Sequence, residues 1–453
     1  MTTTLSARLR VGYASGGIAT GAFGTVPGLL LLPYLTDSLG ISALIAGLIV
    51  FLPKAWDVIL NPITGRVSDR FAATHGTRRP FLIWGGSALA VAFALLFSGP
   101  HAPPWLAGGW VVVIFLVCAT AYSVFQVPYV ALPAELTSDY AERTRLLTWR
   151  VAILAVAILV SGATAPLIRN AIGGAAGYRV MAVFVAILIL VGALGAYAGP
   201  RGIPASTATS PAGSLSSQLR RTLRVRDFRL LLITFVLQSL GIGAMLAGVD
   251  YVARIVLSSP GAASILFACF VGPALVVTPL WQRLAGRIGK KSGYLVSSLV
   301  LAAGVLGLIV AGHVPVIIVF VLTALTGVGY AGCQLFPLAM LPDTAAHDVR
   351  RTGANRVGVF TGVWTAGETL GLALGPAIYA LVLTLGGYRS STGGSVEQPP
   401  SAVLAITWGF SLVPALLILV SLLWIRGYAL TREDVEADGR RPDQAGTRGP
   451  AAQ

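Results

Sequence analysis

The amino-acid sequence predicts an all-α membrane protein: twelve transmembrane helices in two six-helix pseudo-repeat bundles. Three observations lead there. Of 453 residues, 55% are hydrophobic and 11% charged, with a mean hydropathy of +0.80, whereas a soluble domain carries about 25% charged residues. Apolar runs of the ~20 residues needed to cross a bilayer recur twelve times along the chain. The cations gather between those runs instead of forming one continuous face.

The runs lie near 11–35, 43–64, 81–99, 109–133, 149–169, 179–199, 228–249, 260–281, 293–311, 315–341, 357–385 and 402–425. Residues 1–199 therefore form one six-span bundle and 227–425 a second. The linker between them, 200–226, opens with Pro, Ser, Thr and Ala and then turns basic in "QLRRTLRVRDFR". That pattern predicts an interfacial helix beside anionic lipid. The polar tail, 426–453, is expected to be disordered.

A net charge of +15 raises the possibility of nucleic-acid binding, which the positions of the cations exclude. They cluster as Arg66, Arg70, Arg78 and Arg79; Arg143, Arg145 and Arg150; Arg220, Arg221, Arg224 and Arg226; Arg283, Arg287, Lys290 and Lys291; Arg350, Arg351 and Arg356. Nearly all fall in alternate loops. The positive-inside rule then predicts a multi-pass protein of the inner or plasma membrane with both termini cytoplasmic. The first run is too long for a signal-peptide core and reads as an uncleaved span. Three cysteines inside apolar runs and four scattered histidines suggest neither a disulfide framework nor a metal site.

The halves look like repeats. "PYVALPAEL" at Pro128 and "PLAMLPDT" at Pro337 share two prolines separated by four residues, each at the inner end of a fourth span. Parallel six-plus-six repeats imply alternating access, with a small-molecule site near the midplane. "GVGYAG" at 327–332 lies inside a span, so it reads as small-residue helix packing and not a dinucleotide loop. There is no GxxxxGK[ST] phosphate loop and no nucleophile and base at helical spacing. The chain is expected to be no enzyme, to hold no cofactor, and to work by a gradient or passively.

"GRVSDRFAATHGTRRP", "VPYVALPAELTSDYAERTRLLTWR", "MLPDTAAHDVRRTGANRVGVFTGVW" and "KAWDVILNP" resemble the loops and second span of the glycoside-pentoside-hexuronide:cation symporter family of the major facilitator superfamily. The resemblance implies the major facilitator fold and symport of a sugar or glycoside with H+ or Na+ as coupling ion. A monomeric transport unit is expected.

A charge at the bilayer centre costs about 2.5–3.5 kcal/mol on insertion scales, so buried ionisable groups are functional candidates. Asp57 in the second span and Glu368 in the eleventh lie deepest, with Asp250 towards the outer end of the seventh. Lys54, Asp57 and Asn61 share a helix face at i, i+3 and i+7. Lys54 and Asp57 are either a structural pair or part of a site where Asp57 binds the coupling cation.

Melibiose-permease-like members of the resembled family place two carboxylates on span two, a hydroxyl on span four, and sugar-binding acids on spans one and four. In this chain Asp57 matches the first carboxylate, Asn61 stands at the second, Ser123 at the hydroxyl, Gly21 at the span-one acid and Gln126 at the span-four acid. Arg150 matches an arginine opening span five, and Thr369, beside Glu368, stands at the span-eleven lysine. A hard cation needs several charged oxygen ligands, so the missing carboxylate favours a proton over sodium.

The missing sugar acids disfavour a plain oligosaccharide. Gln126, Tyr129, Trp149, Trp364 and Glu368 still offer amide, stacking and carboxylate contacts to a glycoside, a drug-like cation or an amphiphile. For Tyr129 and Trp364 the alternative is simple packing; for Glu368 it is a hydrogen bond to backbone or Thr365. By resemblance, Asp69, Arg70, Arg78 and Arg79 form an inner gate, with Glu135, Arg143, Arg145, Asp343 and Arg351 as matching latches. The alternative is that these arginines only set topology.

A cation-coupled symporter of a sugar, glycoside or similar solute is therefore the expected function. The alternative is export or flipping of an amphiphile such as a lysolipid or natural product. A transport-fold sensor ranks below both, since the tail offers no partner-binding domain.

Overall fold

The computed structural model describes residues 5–137, 140–199, 222–352, 357–394 and 396–430. Its helices are α1 (Ala7–Asp37), α2 (Ala43–His75), α3 (Arg79–Leu96), α4 (Pro104–Leu136), α5 (Tyr140–Ile172), α6 (Gly174–Ala198), α7 (Arg226–Tyr251), α8 (Ala262–Ile288), α9 (Lys290–Gly307), α10 (Val316–Thr352), α11 (Val357–Leu385), α12 (Pro400–Phe410) and α13 (Leu412–Arg426). The last two form one span broken at Ser411, so twelve candidate spans are described. A π turn, Val252–Val256, extends α7. Most of the 200–226 linker lies outside the described residues.

Local chemistry marks the boundaries. The Ser6 hydroxyl accepts from the Leu9 amide at 3.3 Å and caps α1. Proline opens α4 and α12, where a missing amide hydrogen costs nothing. Gly76 closes α2 at φ 68°, a left-handed conformation that suits glycine.

At the arginine-rich end the helices overrun the apolar runs: α2 reaches His75, α4 Leu136, α8 Ile288 and α10 Thr352, while α5 begins at Tyr140. Segments expected as loops are thus largely helix. Hydropathy registers only the part of a helix inside hydrocarbon, and arginine is a good helix former once the helix meets water. The chain also stays packed beyond Arg426. Tyr428 is buried and meets the Thr344 hydroxyl at 3.2 Å, and Lys291 Nζ donates to the Tyr428 carbonyl at 2.7 Å. The expected tail therefore starts no earlier than 431, and residues 431–453 lie outside the described part.

Helices α1 and α7 are the inner pair: 83% and 67% of their central windows are buried, against 28–50% for the other spans. Each lies along the fifth helix of its own half, α1 on α5 and α7 on α11. Small residues permit the approach. Gly367, Gly371 and Gly375 fall at i, i+4 and i+8 on α11, and a Cβ on Gly375 would stand 2.4 Å from the Ala244 amide nitrogen. The "GVGYAG" glycines serve the same purpose, with Gly327 against the Phe270 carbonyl and Gly329 against Leu301. Lipid supplies no hydrophobic force between helices, so such close packing does much of the holding.

Polar groups add to it. In the second half Gln238 Nε2 donates to Ser298 at 2.9 Å and Ser421 at 3.2 Å, while its Oε1 accepts from the Tyr294 hydroxyl at 2.9 Å, tying α7, α9 and α13. The two halves meet along two symmetry-related edges, α2 with α11 and α5 with α8, and through α1 with α7. Gly375→Val should lower the midpoint in a thermal-unfolding assay of purified protein, by an overpacking cost of about 1–3 kcal/mol.

Candidate functional site

At the arginine-poor end the halves are bolted together. Arg169 on α5 holds Asp250 on α7 by two bonds, Nη2 to Oδ1 at 2.5 Å and Nη1 to Oδ2 at 3.1 Å. Arg254, set one turn on by the π turn, donates through Nε to Asp250 at 2.7 Å and through Nη2 to Asp37 on α1. The Tyr388 hydroxyl gives Asp37 a further bond at 2.6 Å, and Thr36 meets the Tyr251 hydroxyl at 2.7 Å. Asp250 has no accessible surface, so each arginine offsets a charge that burial alone would not tolerate.

The loop after α11 completes this closure. Its Ser391 and Gly393 amides donate to the Thr36 and Asp37 carbonyls at 2.9 and 2.8 Å, satisfying acceptors that the end of α1 would otherwise leave open. A cavity of about 680 Å³ lies over the bolts, lined in part by Asp37, Arg169, Arg254 and Tyr388. Lower down, Gly47 of α2 meets Ala380 of α11, and Gly162 of α5 meets the Phe267 ring of α8.

In the sequence Asp250 stands out only as an ionisable group towards the outer end of the seventh span, and Arg169 and Arg254 lie outside the cation clusters. The available signal was two acids, Asp37 and Asp250, at span ends on the side otherwise poor in charge. Only the fold shows that they face the two arginines.

At the arginine-rich end every described ion pair stays within one half. Arg78 pairs with Asp69 at 2.6 Å, and Arg79 donates to the Tyr197 carbonyl at the end of α6 at 2.8 and 3.0 Å. Arg145 pairs with Glu142 on its own helix at 2.9 Å, and Asp343 with Lys290 of α9 at 2.5 Å. Arg70 is exposed on α2. The side chains of Glu135, Arg143 and Arg351 lie outside the described residues. These named pairs each lie within one half, whereas the Arg169–Asp250 and Arg254–Asp37 pairs join the halves at the arginine-poor end.

Between the ends lies the ionisable interior. Asp57 is 4% exposed and its Oδ1 has no hydrogen-bond partner. No ion pair within 4.0 Å links it to Lys54, whose Nζ instead stands 5.3 Å above the Phe23 ring of α1. The structural pair is therefore not formed in this state. Asn61 is partly accessible on the same helix. Ser123 bonds Thr64 of α2 at 3.0 Å, which adds Thr64 to the hydroxyl set.

Lys54, Tyr122, Tyr330 and Glu368 are each half-buried. Tyr122 of the first half lies within electrostatic range of Asp57, Arg150 and Glu368, and Tyr330 within range of Glu368. The group thus draws on both halves. Glu368 makes no hydrogen bond or ion pair to a described residue, and Thr365 bonds the Thr361 carbonyl instead, at 3.1 Å. Gln126 Oε1 and Arg150 Nε are buried without partners among the described residues.

Tyr129 and Trp364 are both buried among other side chains. Tyr129 is fully buried, donates to the Tyr13 carbonyl at 3.0 Å and supports Arg150, whose guanidinium sits 5.0 Å from its ring. Trp364 is 2% exposed and stacked on Phe235 at 4.3 Å. Both pack, and their aromatic bulk gave no sequence signal to separate packing from contact. Trp149 is 49% exposed, and Thr369 partly accessible. Sequence reading missed Tyr122, Tyr330 and Gln334, whose Nε2 donates to the Tyr330 hydroxyl at 2.6 Å.

The profile of a family described as MFS/sugar transport protein matches residues 12–432. The chain is 26% identical to the glucuronide carrier protein homolog of Escherichia coli (strain K12), over 98% of each chain. It is 21% identical to sodium-dependent lysophosphatidylcholine symporter 1-A of Danio rerio, over 95% of this chain and 87% of that one. A solved D-xylose-proton symporter superposes with a TM-score of 0.66 at 15% identity, covering 93% of this chain and 98% of that one; this likeness concerns the fold.

Removing one partner of a buried pair costs about 3–5 kcal/mol. Asp250→Asn should therefore populate a state open at the arginine-poor end. In a background without native cysteines, a cysteine at Ala380 should react with N-ethylmaleimide at least about tenfold faster when Asp250→Asn is added.

Proposed function

The chain belongs to the MFS/sugar transport family, the glycoside-pentoside-hexuronide:cation symporters of the major facilitator superfamily, and we propose that it couples proton entry at Asp57 to transport of a glycoside. It is a multi-pass secondary transporter. The glucuronide-carrying relative supports the solute class, and the amide, guanidinium and carboxylate of Gln126, Arg150 and Glu368 suit a hydroxyl-rich molecule bearing one charged group. The arginine-rich end faces the cytoplasm by the positive-inside rule, and one chain is the transport unit.

The observation that carries this reading is Asp57: a buried carboxyl with no counter-ion in contact, close to Tyr122, which is also within electrostatic range of Glu368 in the other half. Such a group is stable when a small cation rides on it. A proton fits better than sodium because Asn61 supplies an amide where a second charge would be needed. The cycle follows from the two ends. With the Asp37–Arg254–Asp250–Arg169 bolts closed, proton and solute exchange with the cytoplasm. With the bolts released and the arginine-rich ends drawn together, the same site meets the other side. Solute and proton bound together favour that rearrangement only through contacts stronger in one state than the other.

A second reading, carriage of a lysolipid or similar amphiphile, is favoured by the lysophosphatidylcholine-carrying relative and by the lack of acids at the resembled family's sugar positions. A binding screen on purified protein, glycosides and glucuronides against lysolipids, decides between them. Saturable binding of lysolipid alone would discard the glycoside reading.

Asp57→Asn should abolish concentrative uptake into proteoliposomes under an imposed pH gradient while sparing solute counterflow; undiminished accumulation would remove Asp57 from the coupling. Glu368→Gln should weaken solute binding about 10- to 100-fold, the loss expected when a charged hydrogen bond of roughly 1.5–3 kcal/mol is removed, as read by equilibrium titration.

A further inference from the structure

We propose that Lys54 determines which ion this carrier accepts: its ammonium is a built-in counter-ion that rests on Phe23 when Asp57 carries a proton and moves onto Asp57 when that proton leaves. The proposal rests on the reading of Asp57 as the coupling carboxylate and extends it to ion selectivity.

The residue choice is the first observation. Lysines stand only at 54, 290 and 291, against a combined Lys and Arg total of 32, so cations in this chain are overwhelmingly arginine. The one lysine inside a span lies a single turn before the coupling carboxylate. Arginine presents a rigid fork suited to one fixed partner, whereas lysine is a point charge on a flexible four-carbon stem. A cation that must change partners calls for the second kind.

The second observation is the resting place. Phe23 is 1% exposed and held by Tyr122 at 4.7 Å, Phe93 at 6.3 Å and Phe115 at 6.4 Å, an aromatic cluster drawn from α1, α3 and α4. The ring's quadrupole attracts a cation held over its face. It holds the ammonium off Asp57 without neutralising it. Lys54 and Asp57 at i and i+3 are within mutual reach, so rotation of the lysine stem alone carries the charge from ring to carboxylate.

Ion choice follows. With the proton on Asp57, the carboxyl is neutral and the ammonium is the site's charge. Once the proton has left to water, the ammonium pairs with the carboxylate and the site again carries no net negative charge. Sodium, needing several oxygens and negative charge in excess, meets a neutral acid or an occupied one. The neighbouring oxygens, the Asn61 amide and the Ser123 hydroxyl that meets Thr64 at 3.0 Å, are neutral ligands that cannot offset the ammonium, so the ammonium decides whether Asp57 is open to sodium.

Radiolabelled sodium binding to the purified full chain tests this. Wild type and Lys54→Arg should bind none above background. Lys54→Met should bind it saturably, about one ion per chain, and Lys54→Met with Asp57→Asn should bind none. Lys54→Gln serves as a second variant should Lys54→Met not purify as a monodisperse protein. Saturable sodium binding by wild type, or none by a monodisperse Lys54→Met or Lys54→Gln, would overturn the proposal. Sodium binding that survives Asp57→Asn would instead sink the assignment of Asp57.

Discussion

Inside a bilayer an ionised side chain is stable only against an opposite charge or at water, and this constraint orders the whole molecule. The Asp37–Arg254–Asp250–Arg169 chain satisfies it by pairing, in a patch with no accessible surface at Asp250. Asp57 and Glu368 are the exceptions, with no hydrogen bond or ion pair to a described residue. Apart from Lys54 and Arg150, the clustered cations satisfy it on helices that run on beyond the apolar stretches.

The same constraint makes the protein two-state. Bolts of this kind do not stretch: Arg169 either meets both oxygens of Asp250 or leaves them, and a half-broken buried pair is worse than either. The backbone caps from Ser391 and Gly393 onto α1 break with them. At the other end the named pairs, Asp69 with Arg78 and Asp343 with Lys290, sit inside single halves and stiffen each bundle. Close glycine packing of α1 on α5 and of α7 on α11 makes each half move as a body.

Lys54 and Phe23 bring the two themes together. The ring cluster provides a place where charge is held without a counter-ion, at a position one helical turn from a carboxyl that is itself unpaired. Through Tyr122 the cluster also comes within electrostatic range of Arg150 and Glu368.

Much of this was legible in one dimension. Twelve apolar runs, the alternation of arginine clusters, the paired prolines at Pro128 and Pro337 and the spacing of Lys54, Asp57 and Asn61 are properties of sequence, because length, hydropathy and helical period act locally. The Asp69–Arg78 pair was legible for the same reason, its members being nine residues apart. What the tertiary structure alone decided were relations between distant segments. Asp37 and Tyr388 are 351 residues apart in sequence, and nothing in either neighbourhood announces the other. Whether Tyr129 and Trp364 line a cavity or lie behind it depends on neighbours from other helices, as does the choice of Phe23 over Asp57 as the seat of Lys54. Hydrophobicity says that a residue leaves water; only the packing of helices brought together by folding says what it meets there.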